Sequence, residues 1–302
     1  MIPSAEQRIA AQRVRLNPQG LARKDKPLMS AITPDAGQVF VSCDLSSGEP
    51  TCTSHYSQDR NYYDCTFGMV GKQPFYAPTN ILKIDNIYYS VMSVSPMGRR
   101  LMRDLFEAKY DGAPFAERWL EPAFQDRIKE QVKKEYAFHK IGTLGMSYGM
   151  GPRKFQATAY DAGYIISFTE AKEFFQAYWR LFAGVKLFAD KCAAGFKLKG
   201  YMVNDFGYRL LPDKDYKAFN YFIQSSVSGI MHVLCAQFFA LAPFCTFLLV
   251  IHDEVIFSCP ADRVEQARAA MKRAEDELNN MLQWRVRVRV GFKAGGSLYE
   301  AK

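Results

Sequence analysis

No two of the seven cysteines (43, 52, 65, 192, 235, 245 and 259) form a C-x-x-C pair, so the chain lacks the local spacing of a zinc site. Several sit in apolar runs, where a thiol serves as a small core side chain. An odd, scattered set of this kind points to a reducing compartment, and a cytoplasmic location is expected. The first residues hold no apolar core of the sort a secretory signal needs. There is no internal repeat and no low-complexity tract, which removes solenoid and compositionally biased architectures. Charge is missing from one long stretch: Ala218 to His252 contains no Asp, Glu, Lys or Arg. By length it could span a bilayer. Asn220, Gln224, Ser225, His232, Gln237 and Pro243 interrupt it, however, and it runs straight into an acidic turn. A buried helix followed by a buried strand is expected, with no membrane partner.

What is present fits a folded domain. The chain has 302 residues, enough for one large or two modest domains with real cores. Hydrophobic residues make up 48% and charged residues 23%, ordinary values for a globular protein. The formal charge of +8 is compatible with a polyanionic partner, although many basic proteins bind no nucleic acid.

The first 37 residues are polar and basic, with Arg8, Arg13, Arg15, Arg23, Lys24 and Lys26, and read as an opening helix and loop. Strand-like runs occur at Val39–Cys43, Phe244–Ile251 and Val255–Cys259, and Arg285–Val290 alternates like a last strand. Between Ala261 and Trp284 the residues Val264, Ala267, Met271, Ala274, Leu278 and Met281 recur at helical spacing, with Pro260 placed to open the helix. Residues 61–204 read as mostly helical. Ser167-Phe-Thr-Glu170 is a capping-box pattern opening an amphipathic helix rich in aromatics, whose stripe is expected in the core rather than stacked on bases.

Three segments carry chemistry. Phe244 to Phe257 consists of two apolar runs with charge only at their junction, His252-Asp253-Glu254. A strand–turn–strand unit can lift carboxylates out of a buried sheet and hold them rigidly, as metal catalysis requires. Alone, this reads more readily as an ordinary hairpin with Asp in its turn. Upstream, the apolar run Val39–Cys43 ends at Asp44, followed by Leu45-Ser46-Ser47-Gly48-Glu49, or D-x-S-x-x-E. Between them lies Tyr136 to Gly149, where Lys140, Leu144 and Tyr148 fall at i, i+4 and i+8 along one helix face.

In this order the three segments resemble the A, B and C motifs of family A DNA polymerases, the polymerase I-like group. Ser54-His55-Tyr56-Ser57, Phe182-Ala183-Gly184-Val185, Gly207 to Pro212 and Asn220 to Ser225 also resemble runs of that family. The resemblance covers roughly residue 15 to the end. It implies an α+β fold, with a palm made of an antiparallel sheet with packed helices (38–60 and 205–302). A mostly helical fingers insertion (61–204) is spliced into the palm, and 1–37 is a remnant of the thumb–palm junction.

The activity implied is template-directed, primer-dependent DNA synthesis from dNTPs on a primer-template. Two Mg2+ ions, with Mn2+ as a possible substitute, would be held by Asp44, Asp253 and the Leu45 carbonyl. Glu254 is expected close by, one layer out from the metal. Lys140 can reach the triphosphate and protonate the leaving pyrophosphate. Glu49 is expected to occupy the space of a 2′-hydroxyl and so favour deoxynucleotides. Tyr136, Leu144 and Tyr148 complete the nucleotide-binding set. Gly149, Arg209, Asn220, Gln224 and His252 are the DNA-binding candidates; His252 reads equally well as a buried, hydrogen-bonded histidine.

The chain departs from the family pattern in four places. Tyr136 stands where the family has an arginine, Leu144 where it has an aromatic, Tyr88 or Tyr89 where it has a histidine, and Thr51 where it has a second arginine. Three cations are thereby lost, and Lys133 and Lys134 are expected to compensate. With about 43 residues ahead of Asp44, the chain is expected to be either one part of a split phage polymerase, with the exonuclease and most of the thumb on a separate partner subunit docking near Arg8 to Arg23, or a fragment of a longer polymerase. Two alternatives stay open: a single-subunit RNA polymerase, against which Glu49 speaks, and a polymerase-like scaffold that binds DNA without catalysis.

Overall fold

Short β-branched and aromatic runs become the strands of one antiparallel sheet, while most of the remaining chain is helical. The computed structural model of the chain describes residues 26–68, 72–251 and 253–302. The basic segment up to residue 25, with the expected docking surface at Arg8 to Arg23, lies outside the described residues, as does His252. Strand β1 (Gln38–Leu45) is flanked in chain order by three two-residue ladders: β2 (Phe75–Tyr76) with β3 (Leu82–Lys83), β4 (Lys109–Tyr110) with β5 (Ala113–Pro114), and β6 (Met202–Val203) with β7 (Arg209–Leu210). Strands β8 (Thr246–Ile251), β9 (Glu254–Pro260) and β10 (Val290–Gly295) join β1 in a sheet of order β10-β1-β9-β8, antiparallel throughout. The fold is α+β.

The chain divides into two compact units. The sheet unit comprises, among described residues, 26–48, 228–283 and 287–302; the helical unit comprises 49–227 and 284–286. In the sheet unit the strand period of two sorts the side chains onto two faces. Phe40 and Ile256 point to a core shared with Met29, Ile251, Leu298 and Ala301, which is covered by the helices Lys26–Ala31 and Leu298–Ala301. Val41, Cys43, Val255 and Phe257 line the other face, where the Phe238 ring lies 4.6 Å from that of Phe257. The helix Val264–Leu282 buries Ala267, Met271, Ala274 and Leu278 at the expected spacing and starts after a short 3-10 turn. Met281, expected in that stripe, is exposed.

Two strand expectations need correction. Residues 285–289 are not strand; β10 begins only at Val290. The alternating residues are held instead by the preceding helix. Asn279 bonds both the N–H and the carbonyl of Val288, and Glu275 Oε2 accepts from Val290 N at 2.9 Å. The strand after the long apolar helix is also only partly buried: Thr246, Phe247 and Leu248 are exposed, because β8 is an edge strand with a ladder irregularity between Phe247 and Leu249. The helix itself, Ala218–Leu241, is long and apolar enough to cross a membrane by length and composition, and its Ile223, Val227, Ile230, Met231, Leu234 and Phe238 are buried within the protein.

The helical unit is tied together by caps. Asp59 accepts from Tyr62 N at 2.9 Å to open one helix, and from Gly184 N at 2.7 Å and Val185 N at 3.3 Å to open another. A Cβ at Gly184 would come within 3.0 Å of the Asp59 side chain, which accounts for the glycine. The capping box forms, with Ser167 and Glu170 bonded reciprocally. Phe174, Phe175 and Tyr178 behind it are buried, so that aromatic stripe is core.

Candidate active site

In the sheet unit, hydrogen-bond register brings the acidic residues together. Asp44 lies one residue from the end of β1, between Glu254 on β9 and Gly291 on β10. Asp253 occupies the turn between β8 and β9, and its carbonyl accepts from Leu45 N at 2.9 Å. Asp44 and Asp253 are both half-exposed, so strand end and turn meet with their carboxylates within reach of solvent. Gly291, which sequence reasoning did not single out, makes room for one of them: a Cβ there would lie 2.4 Å from Asp44 Oδ1. A glycine inside a strand is itself a signal of close approach and could have found it.

Glu254 behaves differently from its neighbours. It is 6% exposed; one carboxylate oxygen accepts from the Ser42 hydroxyl, and the other lies 2.9 Å from Lys302 Nζ. Among the described residues no group of three or more His, Cys, Asp or Glu side chains converges as a ready-made metal cage. Two accessible carboxylates, with a glycine clearing space beside one, nonetheless fit a hard divalent cation that takes its other ligands from water and phosphate.

In the helical unit, the helix Lys133–Ser147 displays Tyr136, Lys140 and Leu144, with Tyr148 as its C-cap. Buried His139 anchors this helix: Nδ1 donates to the Glu135 carbonyl and Nε2 faces the Ser95 hydroxyl, both at 2.6 Å. Burial lowers its pKa to about 4, so the ring is neutral. Lys140 is exposed, with Nζ 5.9 Å from the centre of the Tyr88 ring, and Tyr88 packs edge-on against Tyr136 at 5.4 Å. The Tyr136 hydroxyl accepts from Asn86 Nδ2 at 3.1 Å. Desolvation pushes Tyr88 up to about 12 and also raises Tyr136, so both hydroxyls stay protonated. Tyr89, the other candidate for the missing histidine, is 2% exposed, and its ring packs 5.0 Å from that of Tyr136.

Glu49 Oε1 accepts from the Tyr148 hydroxyl at 3.1 Å, and Gln224 Nε2 stands 3.5 Å away. Glu49, Tyr88, Leu144 and Asn220 border one small cavity of about 60 Å³. Gly149 takes φ +72°, and a Cβ there would meet the Tyr216 ring at 2.9 Å. The Arg209 guanidinium lies 4.3 Å over the Tyr201 ring. Of the two lysines expected to replace lost cations, Lys133 pairs with Glu130 at 3.0 Å, and Lys134 lines a separate cavity with Phe138 and Tyr164. A cation from elsewhere does stand over Tyr136: Lys129 Nζ lies 5.6 Å from its ring centre. Sequence reasoning missed it because it sits on the preceding helix, Pro122–Gln131.

The chain is similar to known proteins in sequence and in fold. The family model described as DNA polymerase family A matches residues 115–300, which takes in Lys140, Asp253 and Gly291. The chain is 32% identical over 205 residues to the DNA polymerase of Mycobacterium phage D29, covering 66% of this chain and 32% of the relative. It is 26% identical over 197 residues to the thermostable DNA polymerase I of Thermus filiformis, covering 61% of this chain and 22% of the relative. The chain thus spans about a third or less of the length of these relatives. Its fold is similar to the POL domain of Pol1 from M. smegmatis, solved in complex with DNA primer-template and dNTP, with a TM-score of 0.67 at 18% identity over 95% of this chain and 45% of that one. With a family model running from before the lysine helix to beyond the carboxylate turn, and a phage relative sharing a third of the matched positions, this chain belongs to DNA polymerase family A.

Proposed function

We propose that the chain performs template-directed, primer-dependent DNA synthesis by two-metal nucleotidyl transfer. The observation that carries this reading is the pairing of Asp44 and Asp253, one at a strand end and one in the adjoining turn, linked by the Leu45–Asp253 backbone bond. Two Mg2+ ions, or Mn2+ in their place, would activate the primer 3′-hydroxyl and neutralise the charge growing on the triphosphate. Asp44 and Asp253 would hold them, with the Leu45 carbonyl as a further oxygen. Glu254, with both oxygens engaged, acts by position rather than ligation.

The helical unit supplies the nucleotide-facing groups. Lys140 is placed by an exposed helix face to meet phosphate and to give a proton to the leaving pyrophosphate. Glu49, oriented by Tyr148, excludes a 2′-hydroxyl, which selects dNTPs. Leu144 gives the base an aliphatic contact, Tyr136 a neutral hydroxyl and ring, and Gly149 and Tyr148 present the template base. Asn220, Gln224, Arg209 and His252 are assigned to primer-template DNA. In this reading the sheet unit is the core of the palm, the helical unit is built around the fingers, and grip on duplex and proofreading come from further polypeptide, attached or separate.

Primer extension with a labelled primer-template, four dNTPs and Mg2+ tests the reading, with Asp253→Asn as the blank. Extension by the native chain, falling about a thousandfold or more in the variant, is expected. Native chain that binds primer-template yet never extends it would instead support the scaffold alternative. Glu49→Ala is expected to admit ribonucleotides while retaining extension; unchanged discrimination would remove Glu49 from sugar selection.

A further inference from the structure

A third carboxylate follows the acidic turn at the start of β9, and its surroundings give it a distinct task. Glu254 lies directly opposite Asp44 in the sheet and next to Asp253 in sequence, yet it is buried. A carboxylate removed from water needs a paired charge and filled hydrogen-bonding positions. Both are supplied: Ser42, two residues before Asp44 on the same face of β1, donates to one oxygen, and Lys302 Nζ lies 2.9 Å from the other. The Lys302 side chain is itself only 8% exposed, so the pair is shielded at both ends.

Lys302 is delivered by an element rooted beneath the turn. It follows the short helix Leu298–Ala301, capped by Ser297, whose Leu298 N donates to the Ile32 carbonyl at 3.0 Å. Leu298 and Ala301 pack in the same core as Ile251 and Ile256, residues that lie before and after the acidic turn. Lys293 Nζ donates to the Lys302 carbonyl at 2.8 Å, tying that residue back to β10. The element therefore clasps both arms of the hairpin apolarly and closes on its glutamate with a charge.

We infer that Lys302 is a positioning residue. It holds Glu254 off the metal position, keeps the accessible charge of the site at two carboxylates, and fixes the turn that carries Asp253. This rests on the polymerase reading above. Without Lys302, Glu254 becomes an uncompensated buried carboxylate, and swinging out toward a divalent cation is its natural release. Metal would then bind more tightly, in a geometry that serves catalysis worse.

The test uses the full chain with Lys302→Met, Lys302→Arg, Glu254→Gln and the Met/Gln double variant. Mn2+ binding to protein without DNA is followed by paramagnetic resonance, alongside kcat and KM for dNTP. Lys302→Met is expected to tighten Mn2+ binding about fivefold and lower kcat about tenfold, with KM for dNTP within about twofold. Lys302→Arg should keep native values, and adding Glu254→Gln to Lys302→Met should return Mn2+ affinity to the native level. A Lys302→Met protein with native Mn2+ affinity, or a double variant that binds like Lys302→Met, overturns the assignment. If Lys302→Met does not fold, Glu254→Gln decides alone: native Mn2+ affinity supports a carboxylate held off the metal, and loss of affinity makes Glu254 a ligand. Native chain that binds Mn2+ and responds as described but extends no primer would sink the polymerase reading and leave the brace standing; absence of Mn2+ binding in the native chain would sink both.

Discussion

In the sheet unit, the acidic groups of the candidate site are placed by backbone. Asp44 has a strand on each side, Asp253 is pinned through its own carbonyl, and Glu254 is locked by Ser42 and Lys302. In the helical unit, the corresponding groups are side chains on helix surfaces. Lys140 reaches out beside a tyrosine ring, and Glu49 is steadied by the hydroxyl of Tyr148. The difference follows from what each group must do. Under the polymerase reading proposed above, metal-binding oxygens would lose function when misplaced by an ångström, whereas groups that admit and release a substrate would have to move. A backbone ladder suits the first task and a helix face with long side chains the second.

The largest expected effect tests the sheet side of that contrast. In Gly291→Ala the new Cβ would stand 2.4 Å from Asp44 Oδ1, a distance real Cβ atoms do not reach, so the carboxylate must move. A displacement of this size is expected to lower kcat about a hundredfold while leaving KM for dNTP nearly unchanged. Single-turnover kinetics measure both. A loss under about twofold would mean that Asp44 is not held by register and would dissolve the comparison.

Much of this arrangement is legible in the sequence because it is written locally. The run Val39–Cys43 ending in Asp44, the turn at Asp253 and the capping box at Ser167 each depend on a few adjacent residues, and each forms where expected. Asp59 is harder to read, since one carboxylate opens two helices whose starts lie more than a hundred residues apart. Gly291, Ser42 and Lys302 matter through partners on other strands, and no periodicity carries that information. The mistaken strand at 285–289 shows the same limit from the other side: alternation predicts extended backbone, but side chains of Asn279 and Glu275 took the hydrogen bonds a neighbouring strand would have taken. Likewise, the apolar content of β8 suggests burial, while its place at the sheet edge leaves Phe247 and Leu248 exposed.

The second prediction concerns how the helical unit holds its lysine helix. His139 is neutral when folded, with a pKa depressed to about 4, and titrates near 6.5 when unfolded. The unfolded chain therefore binds the extra proton between those values. The stability this group contributes is complete above about pH 6.5 and is lost as pH falls toward 4. About 2 kcal/mol should disappear between pH 7 and pH 5. Urea unfolding at the two pH values measures it, and His139→Gln, lower in stability at pH 7, should show that much less pH dependence. Hydrogen exchange should place the acid-labile opening in the helical unit; opening first in the sheet unit would contradict the division drawn here.

The smallest effect concerns which cation serves beside Lys140. Lys133 lies on the right helix face, seven residues before Lys140, but its ammonium is engaged by Glu130 at 3.0 and 3.2 Å. Lys134 lies a third of a turn away from that face, over a cavity with Phe138 and Tyr164. Lys129 comes from the neighbouring helix and stands over Tyr136, whose ring touches Tyr88, whose ring in turn faces Lys140. Two ammonium groups thus flank this edge-on pair of tyrosines. Lys129→Ala is expected to raise KM for dNTP about fivefold with kcat nearly constant, the value of one charge-assisted contact in a wet site. Lys133→Ala should change KM by less than about twofold, since an exposed ion pair contributes little and its loss frees no phosphate contact. Steady-state titration of dNTP with the two variants side by side decides between them. A larger effect at Lys133 would mean that substrate draws its ammonium away from Glu130, so that a surface ion pair is itself part of the movable binding side.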